Sequence, residues 1–156
     1  VIALAPHTSS WDFVTNMGTM LAMGFRSYWL IADAYDWWPL GYFIRRLGGI
    51  PIDRSMHHDL VSRMVRRFRE SDSFILAIFP EGTRRRVRQW KTGFWYIAAG
   101  AGVPIQLVAV DYEKRATLFG PLIEPSGDIE ADMEIIREYF QGVRGKRPDL
   151  FDQECR

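Results

Sequence analysis

Cysteine is almost missing from this sequence: Cys155, one place before the C-terminal residue, is the only one among 156 residues. A lone thiol closes no intrachain disulfide and cannot assemble a Cys/His metal cluster, so cytosolic chemistry is the natural reading. Long apolar runs are missing too. No uninterrupted stretch approaches the roughly 18 residues of a membrane span, and no basic, apolar and small-residue signal opens the chain. A soluble or peripheral protein is expected. The chain starts at Val1, already inside the strand-like run VIALA, which suggests that a further segment precedes it. Internal repeats, low-complexity tracts and linkers are also lacking. Residues 1–156, at 47% hydrophobic content, therefore read as a single domain able to bury its own core.

Basic charge is scarce at the start of the chain and concentrated in its middle. Residues 1–40 carry one basic and three acidic side chains, residues 41–91 twelve and five, and residues 111–156 seven and eleven. A basic middle between acidic ends favours anions such as phosphate esters or acidic headgroups. Solvated helix arginines account for Arg63, Arg66, Arg67 and Arg69 just as well, and less well for arginines beside glycine and proline.

Short β-rich runs occur at residues 1–5 (VIALA), 28–32 (YWLIA), 49–52 (GIPI), 74–79 (FILAIF) and 104–110 (PIQLVAV). The segments between them read better as helices, and that alternation predicts an α/β fold with a mostly parallel central sheet flanked by helices. Leu60, Val61, Met64, Val65 and Phe68 recur at helical spacing behind Ser55, a plausible N-cap. A second helix is predicted from about Asp128 to Gly142, with Ile129, Met133, Ile136 and Phe140 on one side.

The specialised residues follow the ends of strands, where open α/β sheets hold their sites. In PHTSSWD, five residues separate His7 from Asp12. On one helix they would stand about 140° apart. They can meet only with His7 on the preceding loop, and Pro6 followed by the cap candidates Thr8, Ser9 and Ser10 supplies that arrangement. A carboxylate on one ring nitrogen would orient the imidazole and leave the other to take a hydroxyl proton. Alternatively, Asp12 only favours the helix N-terminus and His7 is a loop histidine.

FPEGTRRR follows the fourth apolar run. Gly82 lets main-chain N–H groups approach an anion, and Arg84 offers a forked donor matched to phosphate oxygens. Glu81 at that bend suits a hydroxyl hydrogen bond or a role in holding the loop. GGIPIDRS places Arg54 after another strand, as a second phosphate ligand or as a surface partner of Asp53.

Together, HTSSWD, GGIPIDR, FPEGTR and VPIQLVAV resemble the four ordered blocks of the glycerolipid acyltransferase family, whose familiar members are the 1-acylglycerol-3-phosphate acyltransferases. The resemblance spans residue 7 to about residue 110. It implies transfer of a fatty acyl group from acyl-CoA or acyl carrier protein to a lysophosphatidic acid-type hydroxyl in phospholipid biosynthesis. His7 would then be the general base and Asp12 its orienting carboxylate. Arg54 and Arg84 would hold the acceptor phosphate, Glu81, Gly82 and Thr83 would shape its pocket, and Lys91 would be a further phosphate partner. No metal or other cofactor is implied beyond the acyl thioester co-substrate. Pro51, Arg85 and Leu107 depart from residues common in the family and bear on the acceptor.

Aromatic residues gather in two places, around Trp29, Trp37, Trp38, Tyr42 and Phe43, and around Trp90, Phe94, Trp95 and Tyr96. Such residues suit a membrane interface or an acyl channel as well as a core. Arg45 and Arg46 beside the first group favour a peripheral contact with anionic lipid at the cytoplasmic face. Other readings are an O-acyltransferase for a non-phosphate lysolipid and a non-catalytic module binding anionic membrane. A nucleic-acid partner is not expected, since the acidic C-terminal part and the site-like loops have no role in it. An esterase would need a G-x-S-x-G elbow, which the sequence lacks.

Overall fold

The computed structural model describes residues 1–5, 10–53, 57–81 and 90–141. In chain order the elements are β1 (Ile2–Leu4), α1 (Ser10–Ala22), β2 (Ser27–Ala32), a 3₁₀ turn (Asp33–Tyr35), α2 (Leu40–Arg46), β3 (Gly49–Ile52), α3 (His57–Arg69), β4 (Ile75–Ile78), α4 (Gly93–Ala101), β5 (Ile105–Asp111), β6 (Ala116–Ile123) and α5 (Ile129–Gln141). The six strands form one sheet in the order β3-β2-β4-β1-β5-β6. Strands β1 to β5 are parallel, and β6 returns antiparallel to β5. The α/β architecture with a mostly parallel sheet is thus the observed one.

Each of the five β-rich runs is a strand. The sixth, β6, was not expected, because ATLFGPLI carries Gly120 and Pro121, which argue against a strand interior. It is an edge strand with Phe119 and Leu122 exposed, and proline is tolerated at an edge. Pro51 likewise stands in an edge strand, β3, paired with Ile31.

The two faces of the sheet differ sharply. Ile2, Leu4, Leu76, Ile78, Ile105 and Leu107 point to one face and pack with Met64 and Phe68 of α3, Phe94 and Ile97 of α4, and Met133, Ile136 and Phe140 of α5. Ala3, Ala5, Ala77 and Val108 alternate with them and face α1. Helix α2 lies on this second face too. A Cβ on Gly49 would come within 2.3 Å of the Ile44 methyl, and Gly49 pairs with Trp29, whose ring meets Phe13 of α1. Right-handed crossovers account for the division, because the chain moves outward through β1, β2 and β3 and then back through β4 to β5.

Two local features fix the ends of the elements. Gly48 turns the chain into β3 with a φ of 100°, and a Cβ there would lie 2.4 Å from the Ser27 carbonyl oxygen. Asp128 caps α5, its Oδ1 accepting from the N–H groups of Glu130 at 3.0 Å and Ala131 at 3.3 Å. Behind it, buried Asp132 accepts from Trp95 Nε1 at 2.7 Å and from the Ser126 N–H at 2.9 Å, tying α5 to α4.

Candidate active site

The carboxyl ends of β1 and β4 lie side by side. Leu4 is in register with Ile78, and the Ala5 N–H donates to the Ile78 carbonyl at 3.1 Å, carrying the pairing one step past β1. The connection from β1 passes over to β2 on one side, whereas that from β4 passes over to β5 on the other. Adjacent strands whose connections leave in opposite directions define a switch point, the usual place for a ligand crevice in such a sheet. The HTSSWD and PEGTR segments therefore both depart from this switch point.

Two further contacts hold the arrangement. Phe13, next to Asp12 in the first turn of α1, meets Phe79, the residue after β4, with ring centroids 5.9 Å apart. The chain that leaves at Pro80 returns at Lys91, whose N–H donates to the Pro80 carbonyl at 2.9 Å. Pro80 is fully buried, and Trp90 is anchored edge-on to Phe140 with ring centroids 5.6 Å apart. Both ends of the intervening segment are thus pinned to the sheet edge.

Of the residues singled out in the sequence, Asp12 lies in the first turn of α1. Glu81 is half-buried directly beyond Pro80, and Lys91 is exposed at the returning end. His7, Arg54, Gly82, Thr83 and Arg84 lie outside the described residues, as does the proposed cap Ser55. Arg54 follows β3, which is two strands from β4 and three from β1. At about 4.8 Å per strand, the carboxyl end of β3 stands roughly 10 Å and 14 Å from those of β4 and β1.

A feature that sequence reasoning missed adjoins this edge. Between α1 and the sheet lies a small cavity of about 20 Å³, partly open to solvent, with Ala3, Ala5 and Ala77 as its floor and Phe13, Met17 and Met20 as its roof. Its signal was the alternation of alanine with larger residues in VIALA and LAI, which puts Ala3, Ala5 and Ala77 together on one face of the sheet. Asn16 also lines it, buried, with neither its Nδ2 nor its Oδ1 hydrogen-bonded.

The charges around the site are largely structural. Asp111, at the end of β5, is buried and accepts from the N–H groups of Lys114 at 2.9 Å and Glu113 at 3.0 Å. The Lys114 N–H bond is the main reason that its carboxyl sits below the usual carboxylate range, outweighing the effect of burial. Arg45 pairs with Asp36 through both its Nε, at 2.9 Å, and its Nη2. Leu107, one of the departures noted above, is fully buried and in register with Leu4.

Comparison with known proteins agrees with this geometry. Residues 1–111 match the acyltransferase family. No curated protein matches the chain. Among solved structures, the 1-acyl-sn-glycerophosphate (LPA) acyltransferase PlsC from Thermotoga maritima is similar with a TM-score of 0.57 and 19% identity, over 93% of this chain and 68% of that one. At that identity the likeness is one of fold.

Proposed function

The chain belongs to the acyltransferase family, and we propose that it moves a fatty acyl group from acyl-CoA or acyl carrier protein to the hydroxyl of lysophosphatidic acid or a related glycerophosphate acceptor. The reaction would serve phospholipid synthesis at the cytoplasmic face of a membrane. The observation that carries the reading is the junction of β1 and β4, from which the segments with the His7/Asp12 pair and with Glu81 to Arg84 both depart.

In this mechanism the His7 imidazole, oriented by Asp12, removes the acceptor hydroxyl proton as the oxygen attacks the thioester carbonyl carbon. A C–O bond forms and the carbonyl becomes an oxyanion. Its collapse breaks the C–S bond, and the imidazolium returns the proton to the departing thiolate. The products are the ester and the free thiol. A thioester has a good leaving group, so alignment, a base and oxyanion stabilisation suffice without a covalent enzyme intermediate. Arg54 and Arg84 would hold the acceptor phosphate, with Lys91 as a further cation. We assign the end of the acyl chain to the apolar, alanine-floored cavity beneath α1, which has to widen to take it.

Thiol release from an acyl-CoA panel, with and without lysophosphatidic acid, tests the reading. Release that requires both the acceptor and His7 is the expected result. Acceptor-independent release would make the protein a thioesterase.

A further inference from the structure

Helices α1 and α2 cover the same face of the sheet, so their outward sides share one surface of the molecule. That surface carries Trp11, Leu21, Trp37, Trp38, Tyr42 and Phe43, all more than half exposed, with Trp38 at 86%. Charge is sparse there. Helix α1 has a single ionisable side chain, Asp12, in 13 residues, and residues 33–47 hold Asp33 and Asp36 against Arg45 and Arg46. The opposite face differs, since α3 alone carries Asp59, Arg63, Arg66, Arg67 and Arg69.

We propose that the α1/α2 face is a membrane-docking surface that inserts aromatic side chains into the zwitterionic headgroup layer of a bilayer. Three observations select that partner. Tryptophan and tyrosine, apolar rings with a polar tip, are the residues that settle at membrane interfaces. Helix α1 and residues 33–47 together carry a net charge of only −1, and Arg45 is already committed to Asp36, so the surface matches an interface with little net charge. An anionic partner would instead meet the arginines of α3. Finally, Trp38 is 86% exposed, and a ring that projects so far fits a fluid layer that closes around it, whereas a protein partner would need a socket for it.

The surface also continues into the candidate site. Helix α1 starts within the HTSSWD segment, at Ser10, and Trp37 and Trp38 follow the 3₁₀ turn that leaves the carboxyl end of β2. A lipid acceptor would thus pass from the headgroup layer to the switch point without crossing water. This part of the inference rests on the lipid acceptor proposed above. Binding itself is read without turnover, so the two ideas fail separately: lost vesicle binding with intact transfer to dispersed acceptor rejects the surface, and the reverse pattern rejects the function.

The test is flotation of the intact chain with pure phosphatidylcholine vesicles at low and high salt, alongside vesicles containing phosphatidylglycerol. The expected result is binding to phosphatidylcholine that changes little with salt, because insertion rather than charge drives it. Trp37→Ser/Trp38→Ser lowers the bound fraction about tenfold, as the lost apolar area no longer enters the interface, and Arg66→Ser/Arg69→Ser leaves it unchanged. Brominated phosphatidylcholine quenches tryptophan fluorescence, and Trp37→Phe/Trp38→Phe loses a large part of the quenching while still floating. Circular dichroism melts confirm that these exposed substitutions leave the fold intact. Binding that needs phosphatidylglycerol and vanishes with the α3 arginines would overturn the proposal in favour of the opposite face. So would absence of binding, with or without self-association that Trp37→Ser/Trp38→Ser abolishes.

Discussion

Leu4 and Ile78 stand opposite each other at the last paired position of two adjacent parallel strands. Because parallel strands end on the same side, the residues that follow each are about one strand spacing, roughly 4.8 Å, apart at their origins. The chain segments that leave β1 and β4 therefore start side by side, although 74 positions separate Leu4 from Ile78.

Replacing His7 by alanine is expected to reduce acyl transfer by about 10²- to 10⁴-fold, the usual worth of a positioned general base, with the thermal melt unchanged. Asp12→Asn should reduce kcat more than it raises KM, since it leaves the imidazole present but unoriented. Turnover that survives His7→Ala would exclude the mechanism.

Arg54→Gln and Arg84→Gln should each raise the acceptor KM for lysophosphatidic acid while leaving acyl-CoA binding unaltered. Steady-state kinetics with a matched lysolipid lacking the phosphate provide the control. If both substitutions are silent with lysophosphatidic acid and the phosphate-free lysolipid is the better acceptor, the natural acceptor carries no phosphate.

Ala77 pairs with Ala3 of β1 and Trp29 of β2 at the floor of the pocket. Ala77→Leu should shift donor preference toward shorter acyl chains, because the added methylenes occupy space that the chain would fill. Thiol release measured across chain lengths gives the shift. A uniform loss at every length would instead indicate distortion of the sheet, which overpacking causes at a cost of about 1–3 kcal/mol.

Asp132 links α5 to α4 through Trp95 Nε1. Burial alone would raise its pKa, but the hydrogen bonds from Trp95 and Ser126 outweigh burial and hold it below the usual value. A carboxyl lowered in the folded state contributes stability above its unfolded pKa of about 3.9, and that contribution is lost as pH falls through the folded value. Melting curves from neutral to acid pH should therefore show the wild type losing this increment below about pH 4, and Asp132→Asn lacking that step. Asp132→Ala should cost about 1–3 kcal/mol at neutral pH, since it leaves a buried indole N–H unpaired.

The aromatic groups show how far the sequence alone could be read. Composition located both groups but could not separate them. The structure buries Phe94 and Trp95 in the core and leaves Trp37, Trp38, Tyr42 and Phe43 in solvent. Similarly, Arg45 read as a free cation beside the first group, whereas tertiary contact ties it to Asp36. Pairing partners nine residues apart across a turn leave no periodic trace in a sequence.

Periodicity did determine the strands at GIPI and PIQLVAV and the helices at α3 and α5, because local backbone preference and one-sided burial leave a repeat of two or of three to four residues. The ordered motifs pointed to the acyltransferase family, and the family match over residues 1–111 agrees with them. Strand order, the switch point between β1 and β4, the alanine-floored pocket and the exposed aromatic face were decided only by the tertiary structure. Those properties depend on which strands become neighbours and which helices share a face, and such choices are made by packing between residues far apart in the chain.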